Sequence, residues 1–422
     1  MKKYLEIYDY FKRLITEQQL TAESKLPSIR ECTALFSVSK TTVLNAYFAL
    51  QADGYIIASP KSGYYVSDIN PNRNFGKSAK AVQNESKILF DLKSGRADKE
   101  SFDIRLWQRY IKNALRQQDR LLYYSEAQGE ADLREALSDY IKEKRNVIAS
   151  PDRIIIGAGV QSLLNILCSL IEERCTVSFP DTSFRQGISQ FEDYGYTVNT
   201  RNKDAKIIYV SPSHMTSYGD VMSTKRRIEL VNYSRKNHSI VIEDDYDNDF
   251  LYQSKPTPSL YALANGENVV YMGSFSNVLI PGIRISFMVL TADLTEKFKS
   301  NSFKYAQSAS KTEQIALCQY IRDGHIKSQT RKIRRHYTQK TKAFYEKLKT
   351  ALPDAQCTIS ENALQIHLSC DFDKDTGVFE KNALSVHIKS CENHKIHLVL
   401  SPSAIENDET DEAIDALKKA LK

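Results

Sequence analysis

Two segments of the chain combine residue types that together could bind a phosphate or another dianion. GAGVQSLL (157–164) passes from glycines into a helix, whose first N–H groups and positive dipole end can receive a phosphate. GSFSNVLIPGIR (273–284) supplies two serines, a Pro-Gly turn and Arg284, which together can hold a dianion. Each segment also has an ordinary structural explanation, as a close-packed strand-helix turn or as a turn with an exposed arginine.

Two further segments supply acids and an aromatic ring. EDDYDNDF (243–250) concentrates carboxylates, for which a solvated acidic loop is the usual explanation. FPDTSFRQG (179–187) contains Phe184, which taken alone is expected to belong to the core. None of the four segments identifies a site by itself, so the elements that carry them decide whether they meet.

All four segments follow predicted strands of one sheet. Apolar, β-branched runs alternate with helical patterns such as QSLLNILCSLIEE (161–173) and TKRRIELVNYSRKN (224–237), which predicts a mainly parallel sheet with covered faces. Ligands of such sheets bind beyond the carboxyl ends of the strands. The seven predicted strands are RIIIG (153–157), TVSFP (176–180), YTVNT (196–200), KIIYVSP (206–212), SIVIED (239–244), NVVYMGS (268–274) and RISFMVL (284–290).

The first 66 residues show the pattern of a helix-turn-helix. An amphipathic helix is predicted over residues 3–19, and LPSIRECTALF (26–36) follows with Ser28 and Glu31 as a capping box. The residues predicted to face the core of this region are Leu5, Tyr8, Phe11, Leu14 and Ile15 on the first helix and Val43, Ala46, Tyr47 and Leu50 on the third.

The third helix lies in SVSKTTVLNAYFALQADGY (37–55), begins after Ser39 and is ended by Gly54. Only about three residues join it to the second helix, which favours a helix-turn-helix over a bundle hairpin. YIIASPKSGYYV (55–66) then reads as two short strands around a turn, the expected wing.

In a winged helix-turn-helix the first turn of the third helix enters the major groove, and flanking cations reach the backbone. The candidate DNA-contacting residues are Lys25, Arg30, Ser39, Lys40, Thr41, Thr42, Lys61 and Gly63. Residues 1–66 hold eight Lys/Arg against six Asp/Glu, so charge does not separate DNA contacts from ordinary solvated charges. The pattern of elements is what favours DNA binding.

The head resembles the GntR family in its LPS-x-R, V-S-K-T-T-V, A-Y-x-x-L, D-G-Y and S-G-x-x-V elements. The body resembles a fold-type-I aminotransferase, and nearly the whole chain resembles the MocR (GabR-like) subfamily of GntR regulators. YYSEAQGEADLREAL (123–137) and PSHMTSYG (212–219) carry that resemblance. It implies a winged helix-turn-helix joined to an α/β aminotransferase-like domain, with a seven-stranded mixed sheet and a smaller C-terminal α+β subdomain.

The resemblance also implies a pyridoxal phosphate crevice. By position, Asp244 pairs with the pyridine nitrogen, Tyr246 hydrogen-bonds the ring hydroxyl and Phe184 stacks on the ring. The phosphate would be held by Ser274, Ser276, Arg284 and the backbone of Val160 and Gln161.

Several positions depart from the family pattern. The family motif G-S-F-S-K ends in the Schiff-base lysine, and this chain has Asn277 there, whose carboxamide cannot form an imine. The other departures are Phe184 for tyrosine, Met215, Thr216, Ser217 and Tyr218 within the second motif, a short span between Tyr196 and Lys206, and His397 for a substrate-binding arginine. We therefore expect no aminotransferase activity and no covalent cofactor.

Composition fits this organisation. A chain of 422 residues accommodates a winged head (1–66), a polar linker (67–88), a large domain (89–300) and a small C-terminal domain (301–422). No apolar run reaches 18 residues, and the seven cysteines show no metal-ligand spacing, so we expect a cytoplasmic protein with reduced thiols and no membrane contact.

Three functions remain open from the sequence. In the first, a homodimeric transcriptional regulator binds double-stranded DNA and holds pyridoxal phosphate or a similar phosphorylated effector non-covalently. In the second, the body has lost ligand binding and only dimerises. In the third, the protein is an enzyme that uses pyridoxal phosphate without its lysine. Asp244, Tyr246, Ser274 and Arg284 favour the first, while Asn277, Phe184 and His397 favour the second.

Overall fold

The computed structural model describes residues 3–60, 62–67, 89–93, 100–213, 215, 221–245, 257–360 and 364–422. The chain divides into two compact units, Met1–Asn84 and Glu85–Lys422.

The first unit consists of three helices and a two-stranded antiparallel sheet. These elements are α1 (Lys3–Thr16), α2 (Ile29–Phe36), α3 (Lys40–Ala52), β1 (Ile56–Ser59) and β2 (Gly63–Val66). The expected capping box is present, because the N–H of Glu31 donates to Ser28 Oγ and the N–H of Ser28 donates to Glu31 Oε2. The predicted winged helix-turn-helix is therefore confirmed.

The core of this unit is centred on α3. Val43, Ala46, Tyr47 and Leu50 are fully buried, as predicted. The prediction for α1 was partly wrong, because the buried residues are Ile7, Phe11 and Ile15, while Leu5, Tyr8 and Leu14 are only half-buried. The buried set repeats every fourth residue, so the contact line of α1 lies beside the predicted stripe. Tyr8 lies at its edge, where its hydroxyl reaches Asp53.

The second unit is built on a seven-stranded sheet, and each of the seven predicted strands belongs to it. The strands of the second unit are β3 (Phe90–Asp91), β4 (Ile154–Gly157), β5 (Thr176–Phe179), β6 (Thr197–Thr200), β7 (Ile207–Val210), β8 (Ile240–Asp244), β9 (Val269–Ser274), β10 (Ser286–Val289), β11 (Gln356–Ile359), β12 (Ile366–Asp371), β13 (Leu384–Ser385), β14 (His387–Glu392) and β15 (Lys395–Leu400). The order in the large sheet is β4-β10-β9-β8-β7-β5-β6, and only β10 runs antiparallel to its neighbours.

Helices cover both faces of this sheet and continue into the C-terminal region. They are α4 (Ile104–Leu115), α5 (Gln118–Leu121), α6 (Ala131–Arg145), α7 (Val160–Leu170), α8 (Arg185–Asp193), α9 (Thr224–Asn237), α10 (Leu260–Ala264), α11 (Ala292–Ser300), α12 (Lys311–Arg322), α13 (His325–Ala351), α14 (Val378–Lys381) and α15 (Thr410–Leu421). One core packs α7, α8 and α11 on one face, and a larger core packs α4, α6, α9, α10 and α12 on the other. The strands inside the sheet are therefore largely apolar on both faces, as a covered sheet requires, while the edge strand β6 is mostly exposed.

A smaller layer follows the long helix α13. Its antiparallel sheet has the order β11-β12-β15-β14, and a third core packs it against α13 and α15. Strand β3, from the start of the body, pairs in parallel with β13. The predicted C-terminal α+β region is thus present.

Candidate ligand crevice and DNA-binding surface

One edge of the large sheet gathers the predicted ligand-binding residues. Strands β4, β8 and β9 end there at Gly157, Asp244 and Ser274. Because β10 is antiparallel, it begins at this edge, where Ser286 lies opposite both Gly157 and Ser274. Side chains alternate along a strand, so Asp244 and Ser274 share the face that packs against α7 and α8.

Arg284 lies against the start of α7. Gly159, the residue before that helix, has φ +94°, and a Cβ added there would clash with Nη2 of Arg284. The helix has no side-chain cap, and no described side chain accepts its first N–H groups, which belong to Val160 and Gln161. Arg284 is exposed, and within the described ranges it has neither a hydrogen-bond acceptor nor an acidic partner. The combination leaves a guanidinium and a helix N-terminus beside each other.

Three serines lie at the same edge of the sheet as Arg284 and the start of α7. Ser286 Oγ donates to Ser274 Oγ at 3.0 Å, and Ser274 Oγ donates to Ser276 Oγ at 3.3 Å. Ser286 is fully buried and was not predicted as a site residue. Ser286 is the first residue of β10 and lies opposite the ends of β4 and β9. This position could not be predicted without knowing the strand register. We call Gly159, Arg284, these serines and the start of α7 the anion cup.

Aromatic rings and Asp244 form the neighbouring part of the edge. The Tyr209 hydroxyl donates to Asp244, which is 5% exposed. The Tyr209 ring stacks on Phe179 with centroids 4.8 Å apart and lies 5.4 Å from Phe184. Phe184 is thus close to Asp244 through Tyr209, a residue that the sequence analysis did not single out.

The acidic run after β8 begins inside the protein, so its interpretation as a solvated loop was wrong for the residues described. Glu243, Asp244 and Asp245 are all buried. Asp245 accepts from Arg145 Nε at 2.7 Å and from the Tyr271 hydroxyl at 2.8 Å. These partners come from distant elements, which is why the local sequence did not reveal the burial.

Glu243 points to the opposite face of β8 from Asp244 and is fully buried. Its carboxylate accepts the N–H groups of Leu260 and Tyr261 at 2.8 and 2.9 Å. Desolvation, followed by the nearby charge of Asp245, raises the pKa of Glu243 to about 7. Tyr246 and the rest of the run to residue 250 lie outside the described residues.

Asn277 lies in the turn between β9 and β10, where it is half-buried. Gln329 of α13 holds this turn by donating to the carbonyls of Val278 and Ser101 at 3.1 and 2.8 Å. His397 is exposed on β15, opposite Ser369 and Ser390.

Two other departures from the family pattern concern residues 215–218. Met215 is half-buried against the larger core. Thr216, Ser217 and Tyr218 lie outside the described residues.

The first unit presents the predicted DNA-contacting residues around the start of α3. Ser39 Oγ accepts the N–H of Thr42 at 3.2 Å and lies 2.8 Å from its hydroxyl, so both residues cap the helix. Lys40 and Thr41 remain exposed at the first turn. Asn45, one turn further on, is also exposed and was not among the predicted contacts.

The flanking cations surround the wing. Arg30 and Lys25 are exposed, and Lys25 Nζ lies 5.8 Å from the centre of the Tyr65 ring. A Cβ at Gly63 would meet Lys25 Cε at 3.3 Å, so the wing passes close to this lysine. Lys61 lies outside the described residues.

Comparison with known proteins assigns both units. Residues 3–66 match the family of bacterial regulatory proteins, gntR family, and residues 87–398 match aminotransferase class I and II. The chain is 31% identical over 379 residues to the uncharacterized HTH-type transcriptional regulator YdeL of Bacillus subtilis, covering 85% of this chain and 82% of the relative. This protein belongs to the HTH-type transcriptional regulators that join a gntR-family head to an aminotransferase class I and II domain.

Other relatives agree with this assignment. The probable rhizopine catabolism regulatory protein MocR of Rhizobium meliloti is 25% identical over 400 residues, which cover 87% of this regulator and 81% of that protein. An archaeal alanine:glyoxylate aminotransferase structure matches with a TM-score of 0.68 at 21% identity, over 79% of this chain and 90% of that one. That likeness supports the fold of the body. In the described part of the regulator, no helix is long and apolar enough to cross a membrane.

The aminotransferase fold implies pyridoxal phosphate in the family, and the crevice of this regulator fits one end of that molecule. The glycine that leaves space for Arg284, together with the positive end of α7, suits a phosphate. Residue 277, where the resemblance places the covalent anchor, carries a carboxamide and no amine, so it does not fit that role.

Proposed function

We propose that the aminotransferase-like body is a non-catalytic effector domain that binds a phosphorylated small molecule without a covalent bond. Ligand occupancy would change how the two heads of a homodimer engage operator half-sites, by shifting the population of body conformations. The asparagine at position 277 supports the loss of transamination, because an amide neither forms an imine nor carries the proton that an amine would move.

The observation that carries the proposal is Arg284 at the start of α7. Its guanidinium lies over Gly159, where a side chain would displace it, and no acid of the described residues neutralises it. A helix N-terminus and an arginine are both suited to a dianion, and Ser274 and Ser276 add hydroxyl donors. Pyridoxal phosphate or a related phosphorylated metabolite fits this donor set.

In the head, Lys40 and Thr41 would contact base edges or phosphates from the first turn of α3. Arg30, Lys25, Lys61 and Gly63 would position the head through the backbone, while Ser39 and Thr42 support the helix start.

A homodimer through the body is supported by an exposed apolar patch in the segment before α6. Leu122, Tyr123 and Tyr124 are 81%, 74% and 102% exposed. Exposed apolar side chains grouped in this way are typical of an interface.

A second candidate function is a ligand-free dimerisation domain. The hydrogen bond from Tyr209 to Asp244 favours it, because an internal hydroxyl already occupies one oxygen, Oδ2, of the carboxylate that would face a pyridine nitrogen. The two candidates differ in whether the anion cup binds anything.

Calorimetric titration of the full-length protein with pyridoxal phosphate separates them. We expect reversible binding with a dissociation constant on the order of micromolar to millimolar. Arg284→Ala should weaken binding by roughly 1.5–3 kcal/mol, the contribution of a hydrogen bond to a charged group. Arg105→Ala, which removes an exposed arginine from α4, is the matched control.

The ligand-free candidate predicts no heat beyond dilution for any of the three proteins. An absorbance spectrum of the same samples should show no yellow species, and borohydride treatment followed by peptide mapping should label no lysine of the crevice. A labelled lysine there would contradict the non-covalent assignment.

A further inference from the structure

The positive charge of this regulator is concentrated in one helix of the body. Helix α13 contains nine Lys/Arg residues and one glutamate, a formal charge of +8. The whole chain carries +6, so everything outside α13 sums to −2. Residues 1–66 carry only +2, although they contain the DNA-binding head. A helix with more net charge than the entire chain is not explained by the need for a solvated surface alone.

Some cations of α13 are neutralised by neighbouring elements. Lys327 pairs with Glu143 at 2.6 Å, and Lys347 pairs with Asp411 at 2.7 Å. Lys340 donates to the carbonyl of Ser403 at 3.2 Å. The first of these contacts lies near the start of the helix, and the other two lie in its C-terminal half.

The part of α13 between Lys327 and Lys340 is different. Four cations there have no ion pair and no side-chain hydrogen bond with any part of the chain that the structure describes: Arg331, Lys332, Arg334 and Arg335. Arg331, Lys332 and Arg335 are exposed, and Arg334 is half-buried. We call these four residues the basic stripe.

The packing of α13 fixes the direction of the stripe. Ile326, Gln329, Ile333 and Tyr337 are buried against the body, which leaves the stripe on the outer side. Arg331 and Arg335 are four residues apart, a spacing at which like charges repel and destabilise a helix. A run of cations kept without carboxylates is therefore suited to a polyanion that neutralises it.

We propose that the basic stripe is a second DNA-contacting surface, which binds the phosphate backbone outside the operator half-sites and reads no sequence. The partner is DNA because the regulator already holds that polyanion through its head, which raises the local concentration of phosphates around the body. Arginine and lysine are the side chains that contact phosphates, and each contact releases a counterion.

Salt-dependent binding of the full-length protein to a random-sequence duplex of about 60 base pairs tests the proposal. The triple variant R331Q/K332Q/R335Q should reduce the slope of log K against log salt by about 2 to 3, since each phosphate contact contributes about 0.9. The control K112Q/K225Q/K236Q removes three exposed, unpaired lysines elsewhere on the body and should keep the wild-type slope. No effector is present, so the result does not depend on the anion cup.

The proposal would be overturned if the wild type and the stripe variant had the same slope of log K against log salt. It would also be overturned if the control variant lost as much of that slope as the stripe variant. The same preparations are also mixed with phosphatidylserine vesicles. Stripe-dependent vesicle binding with an unchanged DNA slope would assign the surface to a membrane and reject DNA. If the triple variant does not fold, Arg331→Gln and Arg335→Gln are measured singly, each with an expected slope change of about 1.

Discussion

At the scale of single residues, the segment between β9 and β10 contains two residues on which the proposed non-covalent binding depends. Asn277 supplies a carboxamide and no amine, and Arg284 places a cation at the start of α7. The two positions are seven residues apart, and under the proposal they would face opposite ends of a pyridoxal phosphate molecule. Under the same proposal, phosphate binding does not depend on a covalent bond.

Asn277→Lys should restore a covalent attachment, because it returns an amine to the turn that Gln329 holds in place. We expect a yellow adduct with pyridoxal phosphate and, after borohydride treatment, a labelled peptide that contains residue 277. Asn277→Gln is the control and should give neither. Tight binding of pyridoxal phosphate to the lysine variant without any adduct would show that this turn does not face the aldehyde.

At the scale of elements, the start of α3 depends on its cap. Ser39 Oγ accepts the N–H of Thr42, and this bond holds the first turn in which Lys40 and Thr41 lie. Ser39→Ala should destabilise the protein by about 1 kcal/mol, with Ser39→Thr losing less because threonine also caps. Chemical denaturation measures both. An alanine variant as stable as the wild type would show that the cap contributes nothing.

The end of β8 makes stability depend on pH. Burial raises the pKa of Glu243 to about 7 from an ordinary 4.5, so the folded state holds the proton more tightly than the unfolded state. The protonated Glu243 carboxyl contributes its full stabilisation below its unfolded-state pKa. That stabilisation is lost as the pH rises through its folded-state pKa. The unfolding temperature should therefore fall with this contribution between about pH 4.5 and 7.

Glu243→Gln should reduce the decrease of the unfolding temperature with rising pH. The substitution also weakens the hydrogen bonds from the N–H groups of Leu260 and Tyr261. Thermal unfolding at several pH values measures the slope, and Glu229→Gln, on the exposed side of α9, is the control. The same slope in both variants would exclude Glu243 as the source.

Elements with strong local patterns were predictable from the sequence. The seven strands and the caps at Ser28 and Ser39 depend on short periodicities and nearby side chains. Ser286 and Tyr209 were missed because their importance comes from strand register and from contacts with distant segments. The burial of Asp245 was missed because Arg145, which donates to it, lies a hundred residues away in the chain.

At the scale of the whole molecule, the regulator is two compact units with different tasks. The head is the gntR-family DNA-binding unit, and the body contains the anion cup and the proposed dimer interface. The two tasks should therefore be separable by substitution.

Lys40→Ala combined with Thr41→Ala should abolish binding to the protein's own promoter, since both side chains lie on the exposed first turn of α3. Light scattering should still give the wild-type mass. Arg13→Ala with Thr16→Ala likewise removes one cation and one threonine, from the end of α1, and should leave promoter binding unchanged. A promoter shift of unchanged affinity by the α3 variant, measured by electrophoretic mobility, would place the recognition surface elsewhere.

The antiparallel strand β10 also links the anion cup to folding. Ser286 reaches Gly157 on one side and Ser274 on the other, so the cup joins segments more than a hundred residues apart. These pairings exist only once three strands have assembled, and the unfolded chain has no equivalent of the cup. A ligand that binds there stabilises the native state, by about 2.7 kcal/mol at a concentration one hundred times its dissociation constant. A bound effector would then also stabilise the folded regulator, so more folded regulator would be present when the effector is abundant.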